Sequence, residues 1–296
     1  MKANLLDGKK TAQDIRLEIK SKVDNYISKG LRPPHLVAIV VGDNPASHTY
    51  VKGKMRACAE VGFASTNKHL PADTTEQELL GWVKTYNEDP LVDGILVQMP
   101  LPEHIVPQNI TKTIVPHKDA DGFHPLNVGL MTLNFPGILP ATPAGILELL
   151  DRYEIPTKGK HCVVVGRSRI VGRPMSILMS RGGKPGEATV TLCHRYTTPE
   201  MLKKMTIQGD IVIVAVGIPG LITADMIKED AVVIDVGINR ISAPEKKSGY
   251  RLVGDVDFTP VSEKASYITP VPGGVGPMTV AMLLSNTLQS YKRTYG

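Results

Sequence analysis

The sequence predicts an α/β protein of two domains with a cleft between them, and three observations carry that reading. Short runs rich in Val and Ile, such as HLVAIVVG at 35–42 and HCVVV at 161–165, read as strands buried on both faces of a parallel sheet. Amphipathic stretches alternate with these runs, and alternating strand and helix imply right-handed crossovers. A chain of 296 residues has room for two cores.

Taken in order, Ile15, Ile19, Val23 and Ile27 recur every four residues and predict a helix over 9–29, ended by Gly30. The strand at 35–42 follows two prolines. Ser47 is the expected N-cap of a helix running to Val61 and stopped by Gly62. A short alternating strand is expected near 66–70, and Thr74 or Thr75 then caps a helix through Leu79, Leu80 and Val83. VDGILVQMPLP, 92–102, is the next buried strand. A helix starting near Thr142 bridges into a second α/β unit with strands at 162–165, 190–193, 211–216 and 232–236 and helices between them. After Tyr267 comes a loop rich in proline and glycine, TPVPGGVGPMT at 269–279, then a last helix from Pro277 or Met278 to Arg293.

Composition narrows the class. With 42% hydrophobic and 21% charged residues the chain reads as a globular protein, neither disordered nor of a membrane class. The net charge of +5 is mild and not gathered into a basic tract, which disfavours nucleic acid and suits small anionic ligands. The start, MKANLLDGKK, shows no signal-peptide pattern, so a cytoplasmic protein is expected. Cys58, Cys162 and Cys193 lie far apart and read as free buried thiols. The eight histidines show no metal-ligand spacing, and no metal is expected.

The stretch HCVVVGRSRIVGRP, 161–174, organises the second half. A strand, a tight turn at Gly166 and a helix start make an anion site, because unpaired N–H groups and the helix dipole point at one spot. Its spacing, Gly166-x-Ser168-x-x-x-Gly172, departs from the common G-x-G-x-x-G fingerprint and fits a bare strand-to-helix turn equally well.

Further candidates lie outside it. Tyr50 and Lys54 stand four apart on one helix face, either as a solvated face or as a site, and Gln98 arrives at the same sheet edge. A lysine desolvated there can move protons near neutrality. Gly53 between them suggests close backbone approach. Asp119 and Asp121 in KDADGFHP form a turn or aim a carboxylate at a polar heterocycle. The loop at 269–279 is a helix cap or a place where backbone approaches a flat ligand.

Together, SHTYVKGKMRACAEVG, GILVQMPLP, KDADGFHPLN, VVVGRSRIVGRP, DVGIN and PVPGGVGPMT resemble the bifunctional methylenetetrahydrofolate dehydrogenase/methenyltetrahydrofolate cyclohydrolase family, over nearly the whole chain and in order. The resemblance implies a catalytic, folate-binding domain at 1–145 and 275–296 and an inserted Rossmann-type NAD(P)-binding domain at 146–274. It implies oxidation of 5,10-methylenetetrahydrofolate to the methenyl form, then hydrolysis to 10-formyltetrahydrofolate. By similarity Lys54 is the catalytic group of the hydrolytic step and Gln98 hydrogen-bonds and tunes it. Tyr50 stacks on folate, Asp121 binds the pterin edge, and Pro272, Gly273 and Gly274 border the folate site. Gly166, Arg167, Ser168 and Ile238 contact the dinucleotide, and the protein is a homodimer. A shikimate-type dehydrogenase and a folate-binding protein without turnover are the rivals. The Tyr-x-x-x-Lys helix and the PGGVGPMT loop disfavour the first, and Lys54, Gln98 and Asp121 together disfavour the second.

The second strand of the dinucleotide domain, TVTLCHRYT, ends in His194, Arg195 and Tyr196 with no acid to take a ribose 2′-OH. Arg195, with Arg167 reaching the same place, favours the 2′-phosphate of NADP. The alternative is NAD with phosphate and magnesium, since His-Arg-Tyr-Thr resembles animal mitochondrial members.

Overall fold

The computed structural model of the chain describes residues 2–245 and 249–295. Two units emerge from its contacts: one runs to Thr11 and resumes over Thr142–Thr279, and the other takes Ala12–Ala141 and the chain from Val280 on. The chain opens on β1 (Asn4–Leu5) and α1 (Gly8–Ser28). Residues up to Thr11 were expected with the catalytic part, but β1 pairs in parallel with a strand at 267–268 and so joins the unit at 142–279.

The unit at 12–141 is built on three parallel strands. β2 (His35–Val41) lies in the middle, followed by α2 (Pro45–Glu60); β3 (Ala64–Leu70) leads into α3 (Glu76–Glu88), and β4 (Gly94–Val97) is the other neighbour of β2. Val37, Ile39, Leu79, Val83, Ile95 and Ile110 pack one buried core. The cap of α2 is Asn44, whose side chain accepts from the N–H groups of Ala46 and Ser47, and not Ser47 itself. Pro45 takes the first helical position, where its missing N–H costs nothing, and this starts the helix three residues early. Thr75 caps α3 in a capping box with Glu78, a device worth about 1 kcal/mol. Strand β4 stops at Val97, well short of the expected 102, since Pro100 and Pro102 cannot donate to a ladder. Two short helices, α4 (Pro107–Thr113) and α5 (Pro125–Thr132), complete this stretch.

The other unit carries a six-stranded parallel sheet. In chain order it contains α6 (Ala141–Arg152), β5 (His161–Val165), α7 (Gly172–Ser180), β6 (Thr189–Cys193), α8 (Pro199–Thr206), β7 (Ile211–Val214), β8 (Val232–Asp235), β9 (Asn239–Ser242), β10 (Tyr250–Val253), α9 (Phe258–Ser262) and β11 (Tyr267–Ile268). The sheet order is β1-β11-β8-β7-β5-β6, and β9 and β10 form a separate antiparallel hairpin. The sheet order reverses at β5, with β6 on one side and β7 on the other. That is the switch point where ligands enter such sheets. The helix expected between β7 and β8 is only a 3₁₀ turn at Ala224–Met226, because Gly217 and Gly220 turn the chain through φ of 72° and 63°. The last helix, α10 (Val275–Tyr295), begins two residues before Pro277, which sits in the first turn where proline is tolerated.

Candidate functional site

Three polar side chains converge at the carboxyl end of the three-stranded sheet. The Gln98 N–H donates to the Ile39 carbonyl at 2.8 Å and so extends the β4–β2 ladder by one residue. Its side-chain Nε2 donates to the Met99 carbonyl at 2.7 Å, which fixes the amide with Oε1 outward. Lys54, half-buried on α2, donates from Nζ to that Oε1 at 3.0 Å. One ammonium hydrogen is thereby held, and two remain for water or substrate.

Asp121 reaches the same end of the sheet by a different route. Asp119 bridges in parallel to Ile95 and the Ala120 N–H donates to the Ile95 carbonyl, so 119–121 runs along the outer edge of β4. Gly122 then turns away with φ 76°, where a Cβ would meet the Leu139 carbonyl at 2.5 Å. Burial pushes the Asp121 carboxyl above the usual range, and the charge of Lys54 pulls it back. The two aspartates divide the open alternatives between them. Asp119 is buried and accepts from the N–H groups of Gly122 and His124 and from Asn127, so it builds the turn. Burial pushes its carboxyl up to about 6. Tyr50, on the same α2 face as Lys54, is 51% exposed. Gly53 does not serve close packing within the chain, since a Cβ there would touch nothing within 4 Å.

The other unit holds a cavity of about 950 Å³ at the switch point, lined by Gly166, Arg167, Ser168, His194, Arg195 and Ala215 among others. Glycine is required at two places in the turn. A Cβ on Gly166 would lie 2.3 Å from the Ala215 oxygen, and one on Gly172 would lie 1.9 Å from the Gly166 oxygen. The expected bare helix end is capped: Ser168 Oγ accepts from the N–H groups of Val171 and Gly172 at 3.1 and 3.3 Å. The positive charge at the turn comes from side chains. The guanidinium carbons of Arg167 and Arg195 lie 5.4 and 4.8 Å from the centre of one ring, Tyr196, and Arg195 donates to its hydroxyl at 2.9 Å. A volume within the range of ligand pockets, two clustered guanidiniums and a glycine turn fit a dinucleotide with a phosphate on its ribose.

Two acids line the cavity that the sequence reading did not single out. Asp225 pairs with Lys203 and accepts from Thr223, which together hold it down to about 2. Glu200 lies in the first turn of α8. Also missed were Asp235 and Asp255, both buried. Asp255 accepts from the N–H group of Val216, on the cavity wall, from that of Gly217 and from Asn239. Asp235 accepts from the N–H groups of Gly237, Asp255 and Val256, while burial, aided by Asp255, pushes it up to about 6. This network accounts for the glycine of DVGIN, because a Cβ on Gly237 would strike the Asp255 carboxyl at 2.3 Å.

Ile238 is 44% exposed beside Gly276. Pro272, Gly273 and Gly274 belong to this same unit. Their glycines serve packing: the Lys9 N–H donates to the Gly273 carbonyl, and a Cβ on Gly8 would overlap the Gly274 oxygen. The three cysteines are free and buried, and burial pushes the Cys58 and Cys162 thiols up to about 12.

Comparison with known families identifies the chain as a whole. Residues 6–121 match the profile described as "Tetrahydrofolate dehydrogenase/cyclohydrolase, catalytic domain", and residues 140–295 match its NAD(P)-binding domain. The chain belongs to the tetrahydrofolate dehydrogenase/cyclohydrolase family. It is 57% identical to the bifunctional protein FolD of Cytophaga hutchinsonii, over 97% of this chain and 98% of that one. The crystal structure of the Campylobacter jejuni FolD enzyme superposes with a TM-score of 0.92 at 50% identity, covering 99% of both chains. A Trypanosoma brucei enzyme, solved with NADP cofactor and an inhibitor, gives a TM-score of 0.94 at 40% identity over 99% of this chain and 98% of that one. Membership makes the chain a bifunctional enzyme of one-carbon metabolism, an oxidoreductase and a hydrolase acting on tetrahydrofolates. Among the described residues no helix is long and apolar enough to cross a membrane.

Proposed function

We propose that this chain oxidises 5,10-methylenetetrahydrofolate with NADP and hydrolyses the product to 10-formyltetrahydrofolate, using Lys54, Gln98 and Asp121. On this reading the unit at 12–141 holds the folate and the unit at 142–279 holds the cofactor, Gly166, Arg167, Ser168, Arg195 and Ile238 being its contacts. NADP supplies the hydride acceptor for the methylene carbon. The hydrolytic step is the work of the side chains. Water adds to the methenyl carbon, the bond to one ring nitrogen breaks, and the formyl group stays on the other nitrogen. Lys54, as the neutral amine, takes one proton from the attacking water and returns it to the departing nitrogen, the second proton leaves to solvent as the formyl carbonyl forms, and Gln98 Oε1 holds Nζ in place. Asp121 accepts from the N–H donors of the pterin, Tyr50 offers a ring face, and Pro272–Gly274 border the folate.

The observation that carries this reading is the 3.0 Å contact from Lys54 to a Gln98 amide whose orientation is already fixed. A binding protein has no use for such a lysine. Purified protein given methylenetetrahydrofolate and NADP is expected to raise the absorbance of the methenyl form and then lose it as 10-formyltetrahydrofolate accumulates. No absorbance change with NADP or NAD would return the chain to the class of folate-binding proteins.

The proposed assembly is a homodimer in the cytoplasm, joined through the dinucleotide unit. Strand β6 ends the six-stranded sheet and leaves Leu192 36% exposed, an open edge of the kind a second copy covers. Light scattering is expected to give twice the chain mass at micromolar concentration; a monomer mass overturns the dimer.

A further inference from the structure

At the ends of β2 and β3, four donor atoms face one another that no part of the folate or dinucleotide chemistry uses. His48 Nε2 and His69 Nε2 lie 3.1 and 3.2 Å from the carbonyl oxygen of Gly42. Asp43 Oδ1 lies 3.3 Å from His69 Nε2 and 3.9 Å from His48 Nε2. The two rings meet edge to face with centroids 4.9 Å apart. A tetrahedral site with bonds of about 2.1 Å has donors about 3.4 Å apart along every edge, and these four distances scatter around that value.

We propose that Gly42, Asp43, His48 and His69 form a binding site for a zinc-class divalent cation. Two imidazole nitrogens with two hard oxygens are a donor set for zinc or cobalt, and the set is too nitrogen-rich for magnesium or calcium. Because the protein supplies four donors, the site is closed and structural, with no open position for catalysis.

The local fold presents these groups for reasons visible in the chain. Gly42, at φ 79°, turns β2 so that its carbonyl leaves the ladder, and its N–H is held by the Leu70 carbonyl. Asn44 caps α2 and sets His48 in its first turn, and the seven-residue register of β2 with β3 brings His69 alongside. Without metal, both rings donate Nε2–H to one carbonyl oxygen. Metal binding moves each of those protons to Nδ1 and puts the cation where the two hydrogen bonds were. Loaded, the site ties the first turn of α2, the helix of Tyr50 and Lys54, to the ends of β2 and β3.

Chelator-stripped, tag-free protein should bind one equivalent of cobalt(II), with the intense visible bands of a tetrahedral complex, and zinc should displace it. His48→Gln and His69→Gln should each weaken zinc binding by about 10-fold or more, and zinc should raise the melting temperature of the wild type more than that of either variant. Asp43→Asn, at a largely exposed position, serves as a third variant should a histidine variant fold poorly. Absence of binding, the pale spectrum of octahedral cobalt, or equal zinc affinity in wild type and variants would overturn the site.

Discussion

Replacing Lys54 by methionine is expected to reduce hydrolysis of added methenyltetrahydrofolate to its spontaneous rate, while the protein stays folded. General acid–base groups contribute about 10²–10⁴-fold, and Lys54 Nζ, which Gln98 holds at the end of β4, is the group proposed to carry the proton. Methionine keeps the length and apolar stem of lysine and has similar helix propensity, so α2 loses only the ammonium. Melting temperature and far-UV circular dichroism matching the wild type separate lost chemistry from lost fold. A variant that hydrolyses at near the wild-type rate would remove Lys54 from the mechanism.

Much of the fold was legible because its strands are buried on both faces. Such strands are near-continuous Val/Ile runs, and β2, β5, β7 and β8 are of that kind. What stayed hidden depends on partners far away in sequence. Strand β1 has two residues and exists only because β11 lies beside it. The β9–β10 hairpin alternates too briefly, over four residues a side, to stand out. The cap of α2 was misplaced by three residues because Pro45 makes Asn44 the better cap, a signal that the dipeptide Asn44-Pro45 does carry.

The site divides along the same line. Tyr50 and Lys54 are local, one helix turn apart, and could be paired from spacing alone. Gln98 was legible as the residue just past a strand, but its grip on Lys54 needs the fold to bring 54 and 98 together. Asp119 and Asp121 are two residues apart and equally plausible in sequence. Only the bridge to Ile95 and the donors around Asp119 show which one builds the turn. Asp235 and Asp255, twenty residues apart, carry no local signature beyond the glycines that their carboxyls require, Gly237 and Gly254. His48 and His69 fail any metal-spacing pattern for the same reason, since one sits in the first turn of α2 and the other near the end of β3, and only the fold brings them together.

Arg195→Ser is expected to lower kcat/KM for NADP by about 10–100-fold and to leave kcat/KM for NAD within a few-fold. A charge-assisted hydrogen bond contributes about 1.5–3 kcal/mol, and tenfold corresponds to about 1.4 kcal/mol. Only the 2′-phosphate draws on that bond. Arg195 is placed for it beside Arg167, both over the face of Tyr196 and both on the wall of the cavity at the switch point. The loss stays partial because Arg167 keeps its charge there. Glu200 on the same wall sets the direction of the comparison, since a carboxylate near the ribose favours a free 2′-OH and repels a phosphate. Asp225 is paired with Lys203, so with Arg195 in place two guanidiniums stand against Glu200, and NADP is preferred. In the serine variant the balance is one against one, and the two cofactors converge. Steady-state kinetics with both cofactors, each with and without phosphate and magnesium, measures this directly. If wild-type enzyme shows the higher specificity constant with NAD under either condition, the cavity takes NAD with a recruited phosphate instead, and Arg195→Ser would then weaken NAD.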